Sequence, residues 1–174
     1  MSAAISDHRR RQDDAREHAV KNAVVIYQSL TGNTRRAGDR IAAELNGAGV
    51  STVACSTIDI DYTALAAADI VIVGTWTDGL ILFGQRPGQA SHLRAMPVID
   101  GKRAAVFCTY AIDTGKTLQK LQTIVEGRGG EVIGGLAIKR NKIDEGAARF
   151  ADRLLAAPAP TITPTIAEPA VPAG

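Results

Sequence analysis

Ser29, Thr31 and Thr34 place three hydroxyls within six residues, with the amide of Asn33 and the flexible Gly32 between them. Leu30 completes the run Tyr27-Gln28-Ser29-Leu30-Thr31-Gly32-Asn33-Thr34. Hydroxyls and an amide at this density suit one task, the hydrogen bonding of an oxyanion. The run follows an apolar stretch, Ala23-Val24-Val25-Ile26, and opens a segment with helical character from Arg35 to Asn46. A turn from strand to helix aims the unpaired N–H groups of the helix start at whatever sits in the loop. Gly32 lets the backbone come close to it. The chemistry expected is retention of a monoester phosphate at a helix N-terminus.

Two further loops carry groups that can meet a ligand. Gly74-Thr75-Trp76-Thr77-Asp78-Gly79-Leu80 holds the single tryptophan of a chain with 4% aromatic residues. Trp76 follows an apolar run rather than sitting inside it, so it serves either a flat ligand or the packing of its own loop. Cys108-Thr109-Tyr110-Ala111-Ile112-Asp113-Thr114-Gly115-Lys116 follows a later apolar run. Its end resembles part of a nucleotide-triphosphate loop, but Tyr110 stands where that motif needs glycine. Asp113 or Thr114 is expected instead to cap the next helix. The dinucleotide pattern G-x-G-x-x-G is absent after the first apolar run. His8, His18 and His92 are scattered, and no His, Cys and carboxylate set has metal-ligand spacing. Any redox chemistry must therefore be carried by a bound organic cofactor.

The elements that position these loops follow from hydrophobic pattern. Apolar runs at 23–28, 51–58, 69–74, 104–109 and 132–138 alternate with helical patterns at 34–45, 62–67, 88–94, 114–126 and 145–156. Leu118, Leu121, Gln122 and Val125 have the spacing of one buried helix face, and Ala147, Phe150, Leu154 and Leu155 repeat it. Near-continuous apolar strands separated by helices imply a parallel sheet covered on both faces. The strand order 2-1-3-4-5 puts a ligand crevice at the carboxyl ends of strands 1 and 3, where the phosphate loop and the Trp76 loop lie. The expected fold is thus a three-layer α/β/α sandwich with five parallel strands.

At 174 residues with 45% apolar content, the chain suits one folded domain. Composition divides it into a charged N-terminal tail over 1–21, a folded part over 22–157, and a disordered tail over 158–174 holding five of the seven prolines. A helix over Asp13 to Val20 is conceivable within the first tail. The net charge of +2 does not point to nucleic acid, and Arg9-Arg10-Arg11 is diluted by neighbouring acids. No apolar run is long enough to span a membrane. Cys55 and Cys108 lack a close partner and read as buried thiols, which suits the cytoplasm. Leu80-Ile81-Leu82-Phe83 is an apolar stretch that either folds down as core or forms a lip where a partner docks, with Arg86 available to an acidic surface.

The run Ser29 to Thr34 resembles the S/T-x-T-G-N-T phosphate loop of flavodoxins, and the likeness extends over the whole folded part, in the short-chain form. The resemblance implies FMN as cofactor, with its terminal phosphate on Ser29, Leu30, Thr31, Gly32, Asn33 and Thr34. It implies that the Trp76 loop (Thr75, Trp76, Thr77, Asp78, Gly79) meets the isoalloxazine. The Trp76 ring and the Asp78 charge would then disfavour an anionic reduced flavin, and the Asp78–Gly79 peptide would turn its carbonyl toward the flavin N5–H. It implies that Thr109, Tyr110 and Ala111 meet the other side of the ring and its pyrimidine edge. The expected function is electron transfer, one electron at a time, between a reductase or ferredoxin-type donor and an acceptor enzyme. Such a protein is a carrier more than a self-standing catalyst. Two alternatives stand beside it: an FMN-dependent NAD(P)H:quinone-type reductase, and a scaffold of this fold without flavin. The folded part carries 15 Lys and Arg against 13 Asp and Glu, whereas carriers of this family are usually acidic. The usual basic redox partners are therefore not the expected ones.

Overall fold

Val24, Val25 and Ile26 are fully buried, and they form the middle of β1 (Asn22–Tyr27), the strand around which the chain is organised. In this computed structural model, which describes residues 20–79 and 84–157, the chain order continues with α1 (Asn33–Gly47), β2 (Ser51–Ser56), α2 (Tyr62–Ala67) and β3 (Ile70–Asp78). There follow β4 (Arg86–Pro87), α3 (Ala90–Arg94), β5 (Arg103–Tyr110), α4 (Thr117–Glu126), β6 (Glu131–Lys139) and α5 (Ile143–Ala156). Residues Val20–Ala156 make one compact unit. The expected tails lie outside the described residues, apart from Val20 and Lys21, as do the apolar stretch 80–83 and, except for Val20, the helix conceived over Asp13 to Val20.

The sheet runs β2-β1-β3-β5-β6, all pairs parallel. Its five long strands therefore have the doubly wound order 2-1-3-4-5. The sixth strand, β4, was not expected. It is two residues long and antiparallel to the end of β3, pairing Thr77 with Pro87 and Asp78 with Arg86. This hairpin carries β3 four residues past Gly74, where the apolar run stops, so Trp76, Thr77 and Asp78 lie in a strand.

Each face of the sheet has its own core. Ile41 and Leu45 of α1 meet Phe150 and Leu154 of α5 over Val25, Ile72 and Phe107. On the other face, Leu65, Leu93, Leu121 and Val125 cover Val24, Val71, Val73 and Val106. Side chains finish the corners where backbone groups run out of partners. Asp69 accepts hydrogen bonds from the N–H groups of Lys21 and Asn22 (2.8 and 2.9 Å), and Asp61 caps α2 through the Ala64 N–H at 2.8 Å. The Asn46 amide bonds both N–H and C=O of Thr52 at 2.9 Å, holding the end of α1 to β2.

Several local expectations shift. β2 stops at Ser56 because the chain turns there, and Ile58 is exposed. α3 starts at Ala90 and α5 at Ile143. α4 starts at Thr117, not Thr114, and neither Asp113 nor Thr114 caps it with a side chain. Its buried face is Thr117, Leu121, Ile124 and Val125, whereas Gln122 is exposed and bonds Glu126. Leu155 of α5 is likewise largely exposed. Both cysteines are free and buried.

Candidate functional site

β1, β3 and β5 are adjacent and parallel, so their carboxyl ends bring the three loops to one edge of the sheet. The first begins where Gln28 leaves β1, its N–H still bonded to the Gly74 carbonyl at 2.8 Å. Gly32, with φ 87°, occupies the N-cap position of α1 in a left-handed conformation that other residues resist. No side chain caps this 15-residue helix, and its first turn has no acid. Arg35 and Arg36 stand there instead, although cations at a helix N-terminus oppose the macrodipole. Each has an exposed ion pair, Arg35 with Asp39 at 3.6 Å and Arg36 with Asp144 at 2.8 Å. An uncapped, cation-flanked helix start is arranged for an external anion.

The hydroxyls divide into different roles. Ser29 Oγ is buried and has no hydrogen-bond partner among the described residues. A buried hydroxyl without a partner costs free energy, so it fits a position where a ligand oxygen accepts from it. Thr31 and Gly32 are exposed, and Thr31 Oγ1 accepts from the Asn33 amide at 3.1 Å, leaving its own proton free to donate outward. Thr34 is buried, and its Oγ1 lies 2.9 Å from Thr109 Oγ1. Only one of those two hydroxyls donates in that bond, so it ties the phosphate loop to the third loop and leaves a second proton available. Leu30 is 69% exposed, so its side chain takes no part in the core.

In the second loop, Thr75 is buried and donates to the Gly88 carbonyl at 3.0 Å. Trp76 is half-buried and paired with Thr109 across β3 and β5. Its indole lies over Gly88: a Cβ on that glycine would fall inside the ring system. The tryptophan is thus seated by the β3–β4 hairpin. Thr77 Oγ1 is buried without a well-formed hydrogen bond and stands beside the Cys108 thiol. Burial pushes that thiol up to about 11, with the Thr77 hydroxyl a weaker opposing influence. Asp78 is 3.6 Å from Arg86, both well exposed, so its charge is partly offset. Gly79 has φ 100°. In the third loop Thr109 is buried, Tyr110 half-buried, and Ala111 exposed.

Supporting residues that the sequence did not mark are mostly glutamines. Gln28, buried, bonds both Gln89 and Thr57, joining the ends of β1 and β2 to the segment before α3. Gln89 has φ 45°, an uncommon conformation for a side-chain-bearing residue. Gln85 donates to the Asp113 carbonyl at 3.0 Å, and Lys120 Nζ donates to the Gln85 carbonyl at 2.8 Å, linking the second and third loops. The signal available was a polar residue at a strand end; the partners are 28 to 61 positions away.

The model of the flavodoxin domain matches residues 24–158. The chain belongs to the flavodoxin family. Its relatives include the flavodoxin of Clostridium beijerinckii, 28% identical over 123 residues that cover 70% of this chain and 88% of that protein. Among solved structures, two-electron reduced Megasphaera elsdenii flavodoxin aligns with TM-score 0.62 at 19% identity, covering 78% of this chain and 99% of the other. A short-chain flavodoxin associated with a non-canonical PDU bacterial microcompartment gives 0.58 at 18% identity, covering 78% and 97%. Flavodoxins bind FMN, and the residues here fit it: Ser29 Oγ and the start of α1 supply donors without acceptors where a phosphate monoester would bring acceptors without donors. No described helix is long and apolar enough to cross a membrane. Among the described residues no His, Cys, Asp and Glu group could hold a metal ion.

Proposed function

We propose that this flavodoxin passes single electrons between a reductase or ferredoxin-type donor and an acceptor enzyme. FMN, when bound, supplies a ring that takes up and releases electrons; the chain supplies binding, orientation and electrostatics. The observation that carries the reading is the buried, unpartnered Ser29 Oγ beside the uncapped start of α1. A phosphate loop that held nothing would have no reason to bury that hydroxyl.

In this reading Ser29, Thr31, Asn33 and Thr34 hold the phosphate with the backbone of Leu30 and Gly32. Trp76, held against Gly88, presents its remaining surface to the ring, with Thr75, Thr77, Asp78 and Gly79 shaping that wall. Thr109, Tyr110 and Ala111 form the facing wall, fixed to the phosphate loop through the Thr34–Thr109 bond. No side chain is assigned as acid or base, since the reaction moves electrons and its protons can come from solvent.

The test is titration of the full chain with FMN and with riboflavin, followed by anaerobic reduction. FMN binding much tighter than riboflavin, with two separated one-electron steps, is expected. A single two-electron step with rapid NADPH oxidation and quinone reduction would favour the reductase. Absence of FMN binding would sink both and leave a scaffold.

A further inference from the structure

A groove of about 1030 Å³ opens beside α3 and α4. It is lined by Arg86 of β4, Arg94 of α3, Lys120 of α4 and Arg128 beyond α4, with Asp78 the one carboxylate among the described residues that line it. Asp78 is offset by Arg86. Arg94, Lys120 and Arg128 have no ion pair among the described residues. Arg94 and Arg128 sit at helix C-termini, where the dipole favours a cation. That accounts for each arginine singly, but not for their convergence on one groove. Arg128 adds an independent observation, because its Nε is buried and has no acceptor among the described residues.

We propose that this groove docks an acidic segment of the protein's redox partner. The inference rests on the electron-carrier reading, since it names the chemistry of that carrier's partner. The groove follows α4, whose ten residues span roughly 15 Å, the length of a short helix or strand on another protein. Its cations come from separate elements, β4, α3 and α4, in the manner of an extended surface rather than of a clamp on one small anion. One end reaches Asp78, within the loop assigned to the flavin wall. A partner seated there is held close to the cofactor. Complementary charge of this kind raises the association rate and orients the encounter.

The experiment uses the full FMN-loaded chain and, as probe, a dye-labelled plant-type [2Fe–2S] ferredoxin of acidic surface, with a basic cytochrome c as comparator. Fluorescence anisotropy reads docking without any electron transfer. The ferredoxin should bind and the cytochrome should not. Binding should weaken at least tenfold from about 20 to about 300 mM salt, over which the Debye length shrinks from ~20 to ~6 Å. Arg94→Glu with Arg128→Glu should weaken it at least tenfold with FMN affinity unchanged. Arg94→Gln with Arg128→Gln, gentler on the helix ends, should give an intermediate loss. Equal binding by wild type and variants, or preference for the cytochrome, would overturn the proposal. So would displacement at the groove by micromolar ADP or pyrophosphate with no ferredoxin binding, which would make it a small-anion site. FMN affinity and the one-electron titration, measured on the same samples, separate failure of docking from failure of the carrier reading.

Discussion

Replacing Ser29 by alanine should push stability and cofactor affinity in opposite directions. Ser29 Oγ is buried, with no protein hydrogen-bond partner among the described residues. An unsatisfied buried hydroxyl costs about 1–3 kcal/mol, and alanine removes that cost while deleting one oxygen. The FMN-free variant should therefore be at least as stable as wild type, with a gain approaching 1 kcal/mol or more. For a domain of this size that raises the melting temperature by roughly 3–4 °C per kcal/mol. With FMN, the same change deletes a hydrogen bond to a charged phosphate, worth about 1.5–3 kcal/mol, so affinity should fall roughly 10- to 150-fold. Riboflavin lacks the phosphate, and its affinity should stay the same. Thermal unfolding of the FMN-free protein reads the first effect, and flavin fluorescence quenching reads the second. A destabilised FMN-free variant would refute the orphan-hydroxyl argument. Equal weakening of FMN and riboflavin would refute the phosphate assignment.

Thr109→Val leaves the buried Thr34 hydroxyl without its partner and should cost about 1–3 kcal/mol, while Thr34→Val with Thr109→Val should recover most of it; denaturant titration of the FMN-free proteins checks both. Gly88→Ala drives a methyl into the Trp76 indole, so the ring must leave its seat at a cost of about 1–3 kcal/mol, and the lone tryptophan's fluorescence should shift; an unchanged spectrum and stability would contradict the packing. Cys108, held up to about 11 from an ordinary 9.0, keeps its proton when the unfolded chain has lost its own. Stability from this group is therefore complete below pH 9 and declines, by on the order of 2–3 kcal/mol, as pH rises through 11. Burial raises Cys55 and Tyr27 too, which adds to the same alkaline loss, and urea titrations between pH 8 and 11 measure it.

Most of the architecture was legible because it follows from local pattern. Buried parallel strands need apolar side chains on both faces, so Val24–Ile26 and Ile70–Val73 announce themselves without any partner being known. Element ends were less legible, since they depend on what the chain meets. β3 runs on to Asp78 because β4 pairs with it, and nothing in Trp76-Thr77-Asp78 alone signals that pairing. α4 buries Ile124 rather than Gln122 because the sheet meets it a little further round its surface than the 118-121-122-125 spacing implied. Within the site, residue types were readable while their division of labour was not. Ser29 and Thr34 look equivalent in the sequence, yet one hydroxyl is left without a partner and the other is engaged in the core.

Local sequence is enough to put a loop dense in hydroxyl and amide donors at the end of β1, opening a helix. The loop's donors and the helix start lie within a few consecutive residues, and a short stretch of backbone suffices to arrange them. What surrounds that loop depends on the packing of distant segments. The Thr34–Thr109 bond joins positions 75 residues apart, Trp76 finds its seat on Gly88, and cations from β4, α3, α4 and the turn after α4 line one groove. Those arrangements exist only after the sheet has paired and its two helical layers have closed over it, because distance in space, unlike distance along the chain, is set by packing.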